Sequence, residues 1–245
     1  MGLSCINTTF NAKMELQVPI NEKYSQNISS EIIIFTTFVR TLNKNTMLVN
    51  FTFQNFRSFR DEKTLSMEAG SIKELKESVI QKESYRLLPA AVMYGANSSG
   101  KSNVLLALMT MRRVLLGSVR LNPNDELYFQ PFKLDLTSAN TPTSFEIQFL
   151  LDDVKYRYGF DYDKTHICKE WLYEKCAGQR EFNLFLRVDN EFEVSKTRFP
   201  EGLGKEGVTP SNRLFVSLVA QLNGAKSMRI LDWFNNCNYL SGMDS

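Results

Sequence analysis

The chain has 245 residues, 43% of them hydrophobic, which is enough to bury one large core or two modest ones. Lysine and arginine number 29 against 27 acidic residues, so the net charge of +2 excludes a global basic field and leaves only a local basic patch open. The apolar run at 32–39 is far shorter than the ~20 residues of a membrane-spanning helix. We therefore predict a cytoplasmic protein without membrane contact.

The cysteines indicate free thiols. Cys5, Cys168, Cys176 and Cys237 form no C-x-x-C pair, and His166 is the only histidine of the sequence. Cys168, Cys176 and His166 could be imagined as a zinc set, but their spacing lacks the close ligand pairs of structural zinc sites. We expect reduced thiols, as is usual in the cytosol.

Residues 1–46 are polar and rich in Asn, Ser and Thr, with one β-prone run at Glu31–Val39. We predict that they form an N-terminal extension. Two interpretations stay open: an appendage that is disordered except for one strand, or an upstream extension with no role. The second is preferred because nothing in the segment carries chemistry.

The first predicted elements after the extension are a hairpin. Leu48–Phe53 alternates as a strand does, Gln54–Phe59 is a polar turn that contains Arg57, and Lys63–Glu68 can be the returning strand. The charged run 71–83 is typical of a solvated face.

A phosphate-loop pattern occupies residues 95–102, which read GANSSGKS. The fixed positions of G-x-x-x-x-G-K-[ST] are Gly95, Gly100, Lys101 and Ser102. The apolar run Pro89–Tyr94 before it predicts a buried strand, and apolar residues at helical spacing after it predict a helix over 102–116. Strand, glycine-bounded loop and helix are the context in which this motif binds phosphate.

The residue types of this loop fit a nucleotide with Mg²⁺. Glycines let the backbone approach a phosphate closely, and the N–H groups of the loop and helix N-terminus can point at the anion. Lys101 is predicted to contact the β- and γ-phosphates, and the Ser102 hydroxyl to ligate Mg²⁺. The predicted nucleotide-binding residues are Gly95, Ala96, Asn97, Ser98, Ser99, Gly100, Lys101 and Ser102.

Beyond the predicted helix the pattern becomes that of an antiparallel sheet. Arg112 and Arg113 are expected near the C-terminal end of the helix, where cations are favourable for its dipole. The alternating runs Ser144–Leu151 and Val154–Tyr162 flank Asp152 and Asp153. This predicts a hairpin with an acidic turn and not an apolar strand that ends in metal-binding acids.

The remaining predicted elements show either the alternation of a strand or the apolar spacing of a helix. Further strands are predicted at Ile167–Glu174, Asn183–Val188 and Glu191–Lys196, a glycine-rich loop at Phe199–Pro210, and helices at Asn212–Leu222 and Ser227–Asn235. Trp171, Tyr173 and Phe185 are interpreted as core or sheet-face residues and not as platforms for stacked bases.

Two stretches resemble a known family. The loop GANSSGKSN is similar to the G-x-N-G-x-G-K-S-N loop of ABC-type ATPases related to SMC and RecF proteins, with Asn97 and Asn103 at that family's asparagines and Ser98 in place of its usual glycine. MLVNFTFQNFRSF, from Met47, resembles the first strand and N-F-[RK]-S-[FYH] turn of those ATPases. Together with the later segments, the chain looks most like bacterial AAA/ABC-type ATP-binding proteins of the overcoming-lysogenisation and abortive-infection kind.

The resemblance implies an α/β P-loop NTPase core of ABC-ATPase type with a large antiparallel β-lobe and C-terminal helices. It divides residues 47–245, as the N-terminal part of an ATPase domain, into 47–120, 121–198 and 199–245. It makes Arg57 a candidate phosphate or base contact, and Gln130 the candidate glutamine that senses Mg²⁺ and the attacking water. It places the other metal-binding acid and the signature motif beyond this chain, so YLSGMDS at 239–245 is interpreted as a chance likeness.

The function implied is ATP binding and hydrolysis that drive a conformational or dimerisation switch in DNA maintenance or phage defence. ATP, Mg²⁺, a homodimer of the complete protein, and DNA or a nuclease or toxin effector are the implied partners. The alternative is a nucleotide-gated module with little turnover that regulates a nuclease or toxin. Turnover by this chain alone is expected to be low.

Overall fold

A large antiparallel sheet dominates the computed structural model, which describes residues 35–37, 46–70, 79–82, 84–93, 95–96 and 99–237. The strands are β1 (Phe35–Thr37), β2 (Thr46–Gln54), β3 (Lys63–Ser66), β4 (Ile80–Lys82), β5 (Tyr85–Leu87), β6 (Ala91–Met93), β7 (Thr143–Leu151), β8 (Val154–Tyr162), β9 (Ile167–Lys175), β10 (Phe182–Val188) and β11 (Glu191–Val194). The helices are α1 (Lys101–Gly117), α2 (Phe215–Gln221) and α3 (Ala225–Asn235).

Seven strands form the main sheet in the order β11-β10-β9-β8-β7-β2-β3, and every neighbouring pair is antiparallel. The predicted hairpins are confirmed, and the opening strands β2 and β3 belong to the same sheet as β7–β11. The acidic hairpin is confirmed as well, with Leu151 opposite Val154 across a two-residue turn. Asp152 and Asp153 have φ angles of 48° and 64°, which is the left-handed geometry of a type I′ turn.

One face of the sheet carries the core. Alternate residues of the central strands point to that face, and the helices bury apolar residues against it. Phe149 stacks on Trp233 of α3 at 4.3 Å between ring centroids, and Phe185 meets Phe215 of α2 edge-on at 5.0 Å. The predicted core role of Phe185 is thereby confirmed.

The opposite face is polar. Arg157 forms ion pairs with Glu146 and Glu181, and its guanidinium lies 4.1 Å from the Tyr173 ring centroid. The Trp171 indole N–H donates to Glu146 at 2.8 Å. Trp171 and Tyr173 are therefore sheet-face residues, as predicted, and their rings are already engaged by protein groups.

Two small ribbons flank the main sheet. β4 pairs with β5, so a part of the charged run 71–83 that was expected to be plain solvated surface is a strand, while residues 71–78 lie outside the described residues. β6, which leads into the phosphate loop, pairs with β1 from within the N-terminal segment. The prediction of a strand before the loop is confirmed, although Ala91 and Met93 are half-buried and not fully buried.

The prediction for Arg112 and Arg113 is wrong. α1 continues to Gly117 and has no basic residue in its last turn, so neither arginine caps it. Arg112 instead donates to the carbonyl of Phe234 at 2.9 Å near the C-terminal end of α3, and the Arg113 guanidinium lies 4.3 Å from the Tyr128 ring centroid. A helix that packs within a core presents its polar residues to neighbouring elements, which the sequence of α1 alone does not reveal.

The helix predicted from Asn212 begins only at Phe215. The Asn212 amide donates to the carbonyls of Asn122 and Asp125, and Arg213 donates to the carbonyl of Leu121. These contacts hold residues 212–213 against another segment, so the helix starts after them. The second predicted helix is confirmed as α3, which begins at Ala225, two residues earlier than expected.

α1 and the short 3₁₀ turn after it, Lys101–Arg120, are long and apolar enough to span a membrane by length and composition. Such a run is also typical of a core helix. Ala107, Leu108, Met111, Val114 and Leu115 are buried in the main cluster, and Ser217 of α2 donates to the carbonyl of Leu115 at 2.6 Å. α1 is therefore packed as a core helix in the described part of this mixed α/β domain.

Candidate functional site

The phosphate loop joins β6 to α1. Gly100 is the residue before the helix and has φ 91°, a left-handed conformation that favours glycine. The structure describes the whole first turn of α1, and no acidic residue lies in it. Ser102 is exposed in this turn. The positive end of the helix dipole is thus not neutralised by a side chain of its own turn.

Lys101 folds back along the loop. Its Nζ donates to the carbonyl oxygens of Gly95 at 2.7 Å and Ala96 at 2.6 Å, and lies 3.4 Å from Ser99 Oγ. The structure therefore brings these predicted site residues together around one ammonium group. Asn97 and Ser98 lie outside the described residues.

The polar turn after β2 lies against this loop. Phe56 and Phe59 exchange backbone hydrogen bonds at 2.8 Å and enclose Arg57, whose φ is 50°. A Cβ placed on Gly100 would lie 3.0 Å from Phe59 Cζ and 3.0 Å from Ser58 Oγ. The absence of a side chain at Gly100 is what lets the turn and the loop meet.

Arg57 links three elements of the site. Its Nε donates to Gln130 Oε1 at 2.7 Å, its backbone N–H donates to the Gln130 carbonyl at 2.9 Å, and its Nη1 lies 3.4 Å from Asn103 Oδ1. The Asn103 amide donates in turn to Ser58 Oγ at 2.8 Å. Arg57 and Gln130, which are 73 residues apart, are thus in direct contact beside the first turn of α1.

Sequence reasoning missed the role of Asn55. This buried side chain donates to the carbonyls of Ser138 at 2.9 Å and Thr141 at 2.8 Å, and its Oδ1 accepts the Phe132 N–H at 3.0 Å. It fixes the turn to the segment that follows Gln130. Its place as the first residue of the N-F-R-S-F motif was visible, but its partners, 77–87 residues away in the chain, were not.

The same segment is held by Asp135. The hydrogen bond from the Ser138 N–H, at 2.6 Å, is the main cause that lowers the pKa of Asp135 to about 2, and bonds from the Ser138 hydroxyl and from Thr137 act in the same direction. Arg60 pairs with the same carboxylate at 3.2 Å. The carboxylate therefore stays ionised and orders the turn whose Ser138 carbonyl receives Asn55.

The acids Asp152 and Asp153 and the thiols Cys168 and Cys176 are not among the described residues that meet the phosphate loop. Asp152 pairs with Arg229 and Asp153 with Lys82, so both acids at the hairpin tip engage surface cations. Cys168 lies near the start of β9 and Cys176 follows its last residue. Eight extended residues span roughly 26 Å, which separates the two thiols too far for one zinc ion.

A family model described as "AAA domain, putative AbiEii toxin, Type IV TA system" matches residues 90–242, more than half of the chain. The match takes in β6, the phosphate loop, α1, β7–β11, α2 and α3. No curated protein matches the chain significantly. The mixed α/β structure with its large antiparallel sheet fits a P-loop NTPase, a class that generally uses ATP with Mg²⁺. The chain belongs to this family of AAA domains.

Proposed function

We propose that the chain binds ATP and Mg²⁺ at residues 95–102, as part of an ATPase of the ABC type related to SMC and RecF proteins. The observation that carries the proposal is the assembly of two separate segments, the 56–59 turn and the segment at Gln130, around the loop. Lys101 spans the loop, the Ser58–Phe59 turn lies against Gly100, and Arg57 joins that turn to Gln130. A glycine-rich turn that only reverses the chain does not require contacts from two distant segments.

The loop offers exchangeable partners to a phosphate. The ammonium of Lys101 is held by carbonyl oxygens of the loop, and a phosphate would replace neutral acceptors with a charged one, which makes stronger hydrogen bonds. The N–H groups of Gly100 and of the first turn of α1 would bind the phosphate oxygens. The exposed Ser102 hydroxyl would be a hard oxygen ligand for Mg²⁺.

Arg57 and Gln130 are proposed to respond to the nucleotide together. Arg57 would contribute a cation near the phosphates, and Gln130 would orient Mg²⁺ or the attacking water. Their 2.7 Å hydrogen bond means that neither can move toward a ligand without affecting the other. This contact supports a switch in which nucleotide binding repositions residues 57 and 130 as a pair.

We further propose the division into an N-terminal extension at 1–46, a nucleotide-binding part at 47–120, a β-lobe at 121–198 and a helical segment at 199–245. Pairing of β1 with β6 ties three residues of the extension to the strand before the loop, which favours a contributing role for that run. A homodimer of the complete protein, a cytoplasmic location and a role in phage defence or DNA maintenance are the corresponding proposals for the cell.

A nucleotide-gated module with little turnover is the second candidate. It is favoured by the position of Asp152 and Asp153 at a hairpin tip, where both acids pair with surface cations and do not end a strand beside the phosphate loop. Such a module would regulate a nuclease or toxin partner through its bound state. Phosphate release measured beside ATP binding separates the two candidates, because a gated module binds without releasing phosphate.

The proposal is tested by titrating the chain with a fluorescent ATP analogue in the presence of Mg²⁺. Lys101→Ala should weaken binding by ~10-fold or more, since a charge-assisted hydrogen bond contributes about 1.5–3 kcal/mol. Lys196→Ala, which removes an exposed lysine after β11, is the matched control and should bind as the parent chain does. Equal affinities of the Lys101 variant and the parent would refute the site.

A further inference from the structure

We propose that the turn between β8 and β9 is a binding site for a zinc-class divalent cation, with Asp163, His166 and Cys168 as its ligands. One ligand atom from each of these three residues lies within 4.8 Å of the other two. The site is separate from the phosphate loop. It also differs from the Cys168, Cys176 and His166 set, which was rejected on its spacing and which the structure separates.

Local geometry brings the three side chains together. His166 lies one residue before β9 and Cys168 is the second residue of the strand, where the pairing with β8 has an irregularity. Asp163 reaches back across the turn, where its Oδ1 accepts the N–H groups of Thr165 at 2.6 Å and His166 at 2.9 Å. Those bonds orient the carboxylate and leave Oδ2 at 3.1 Å from His166 Nδ1.

A second turn contributes Asp189. This residue lies between β10 and β11 with φ 50°, and its N–H donates to the Cys168 carbonyl at 2.9 Å. Its Oδ1 lies 3.6 Å from His166 Nε2. With Nδ1 on the metal, Asp189 would accept a hydrogen bond from the Nε2 side, which is the usual way in which a carboxylate orients a metal-bound histidine.

The donor set suits zinc. Zn²⁺ is ordinarily bound by a thiolate, an imidazole or a carboxylate at ~2.0–2.3 Å, and the fourth tetrahedral position would be open to water. In a tetrahedral site these bond lengths place the ligand atoms roughly 3.3–3.8 Å from one another. The Asp163–His166 separation of 3.1 Å is close to this range. All three residues are half-buried, so an ion would be accessible without opening the core.

The surroundings are anionic. Burial and then the charges of Asp163 and Asp189 raise the pKa of Cys168 to about 11, so its thiolate is disfavoured in the absence of a cation. A bound divalent ion reverses that balance, because it attracts the carboxylates and the thiolate together. The Lys164 carbonyl in this turn accepts a hydrogen bond from the N–H of Leu127. Leu127 lies three residues before Gln130. A cation here would therefore stiffen the segment that leads to the nucleotide site.

Titration of the reduced, chelator-treated chain with Co²⁺ and then Zn²⁺ tests the site, with no nucleotide present. Co²⁺ should produce visible bands of a tetrahedral ion and a near-ultraviolet thiolate band, and Zn²⁺ should remove both. Cys168→Ser should abolish the thiolate band, His166→Ala should weaken Co²⁺ binding at least ~10-fold, and Asp189→Asn should weaken it ~10–100-fold through lost orientation.

Cys176→Ser is the matched control, since Cys176 is also a half-buried thiol and should leave the spectrum unchanged. Circular dichroism of each variant separates loss of the site from loss of the fold. Lys101→Ala should keep the Co²⁺ bands, which makes this result independent of the nucleotide site. A parent chain with no thiolate band, or a band that persists in Cys168→Ser, overturns the proposal.

Discussion

The core of the sheet and the phosphate loop treat their charged groups in opposite ways. Glu170 is fully buried on β9, where its carboxylate accepts the Tyr158 hydroxyl at 3.0 Å and the N–H groups of Phe215 and Val216 at 2.6 and 3.0 Å. Lys101, in contrast, is only half-buried and is held by carbonyls of its own loop. Glu170 therefore stabilises the fold through fixed partners, whereas we propose that Lys101 can exchange its carbonyl partners for a phosphate.

This contrast extends to the ends of the helices. Glu170 caps the N-terminus of α2 from a neighbouring strand, and Arg187 lies 4.0 Å from it with hydrogen bonds to the Asp189 and Arg213 carbonyls. The N-terminus of α1 has a glycine before it and no side-chain cap. Two helices of one domain thus differ in whether the protein itself satisfies their first N–H groups, and only α1 follows a phosphate-loop motif.

The largest effect is expected from Glu170→Ala. It leaves the buried Arg187 charge without its neighbouring carboxylate and removes the cap of α2, so the free energy of unfolding should fall by about 3–5 kcal/mol. Urea denaturation of the variant, compared with Glu193→Ala on the exposed side of β11, measures this. A loss as small as that of the control would mean that Glu170 does not organise the core.

Gly100→Ala should lower both the stability of the fold and the affinity for ATP. The φ of 91° and the 3.0 Å contacts to Phe59 and Ser58 predict a loss of about 1–3 kcal/mol in stability, together with weaker ATP binding. Gly117→Ala is the control, because Gly117 is helical and a Cβ there meets nothing within 4 Å. It should be neutral or stabilising by ~0.4–1 kcal/mol. Thermal melts that reverse this order would contradict the contact between turn and loop.

Arg57→Ala should lower ATP affinity by ~3–10-fold with little change in melting temperature. A hydrogen-bonding group at the edge of the site is removed, which costs about 0.5–1.5 kcal/mol, while the backbone bond from residue 57 to Gln130 stays. Arg60→Ala, which removes an exposed arginine of the same turn, should bind ATP as the parent does. Equal losses in both variants would indicate a general charge effect and no specific contact.

The smallest effect is expected from Asp152→Asn. Asparagine tolerates the positive φ of this position, and the exposed pair with Arg229 contributes little, so stability should change by less than ~0.5 kcal/mol and ATP affinity by less than ~2-fold. Phosphate release that disappears in this variant would make Asp152 a metal ligand and would overturn its assignment to a structural turn.

Local patterns predicted much of the molecule. Period-two alternation was enough for β2, β3 and β7–β11, and the motif was enough for the loop and α1. Three contacts were not predictable, because each joins segments that are distant in the chain. They are the pairing of β1 with β6, the hydrogen bonds from Asn55 to the segment after Gln130, and the hydrogen bond from Arg112 to the end of α3. A single sequence records which side chains can form such bonds but not which distant partner they meet.

The late start of α2 has the same physical origin. Its apolar stripe predicted a helix from Asn212, yet side-chain bonds to residues 121–125 and the Glu170 carboxylate determine where the helix begins. Within the candidate site, Arg57 and Gln130 could be named separately from the resemblance, but their direct contact came only from the fold.

Hydrogen–deuterium exchange of the chain with and without Mg²⁺ and ATP tests the central claim most directly. We predict slower exchange at residues 95–103, at the turn 56–59 and around Gln130, with no change at the 152–153 hairpin tip. In Lys101→Ala at the same ATP concentration this protection should be lost. Protection confined to the sheet and its hairpin tip, with residues 95–103 unchanged, would contradict the account and place the nucleotide elsewhere.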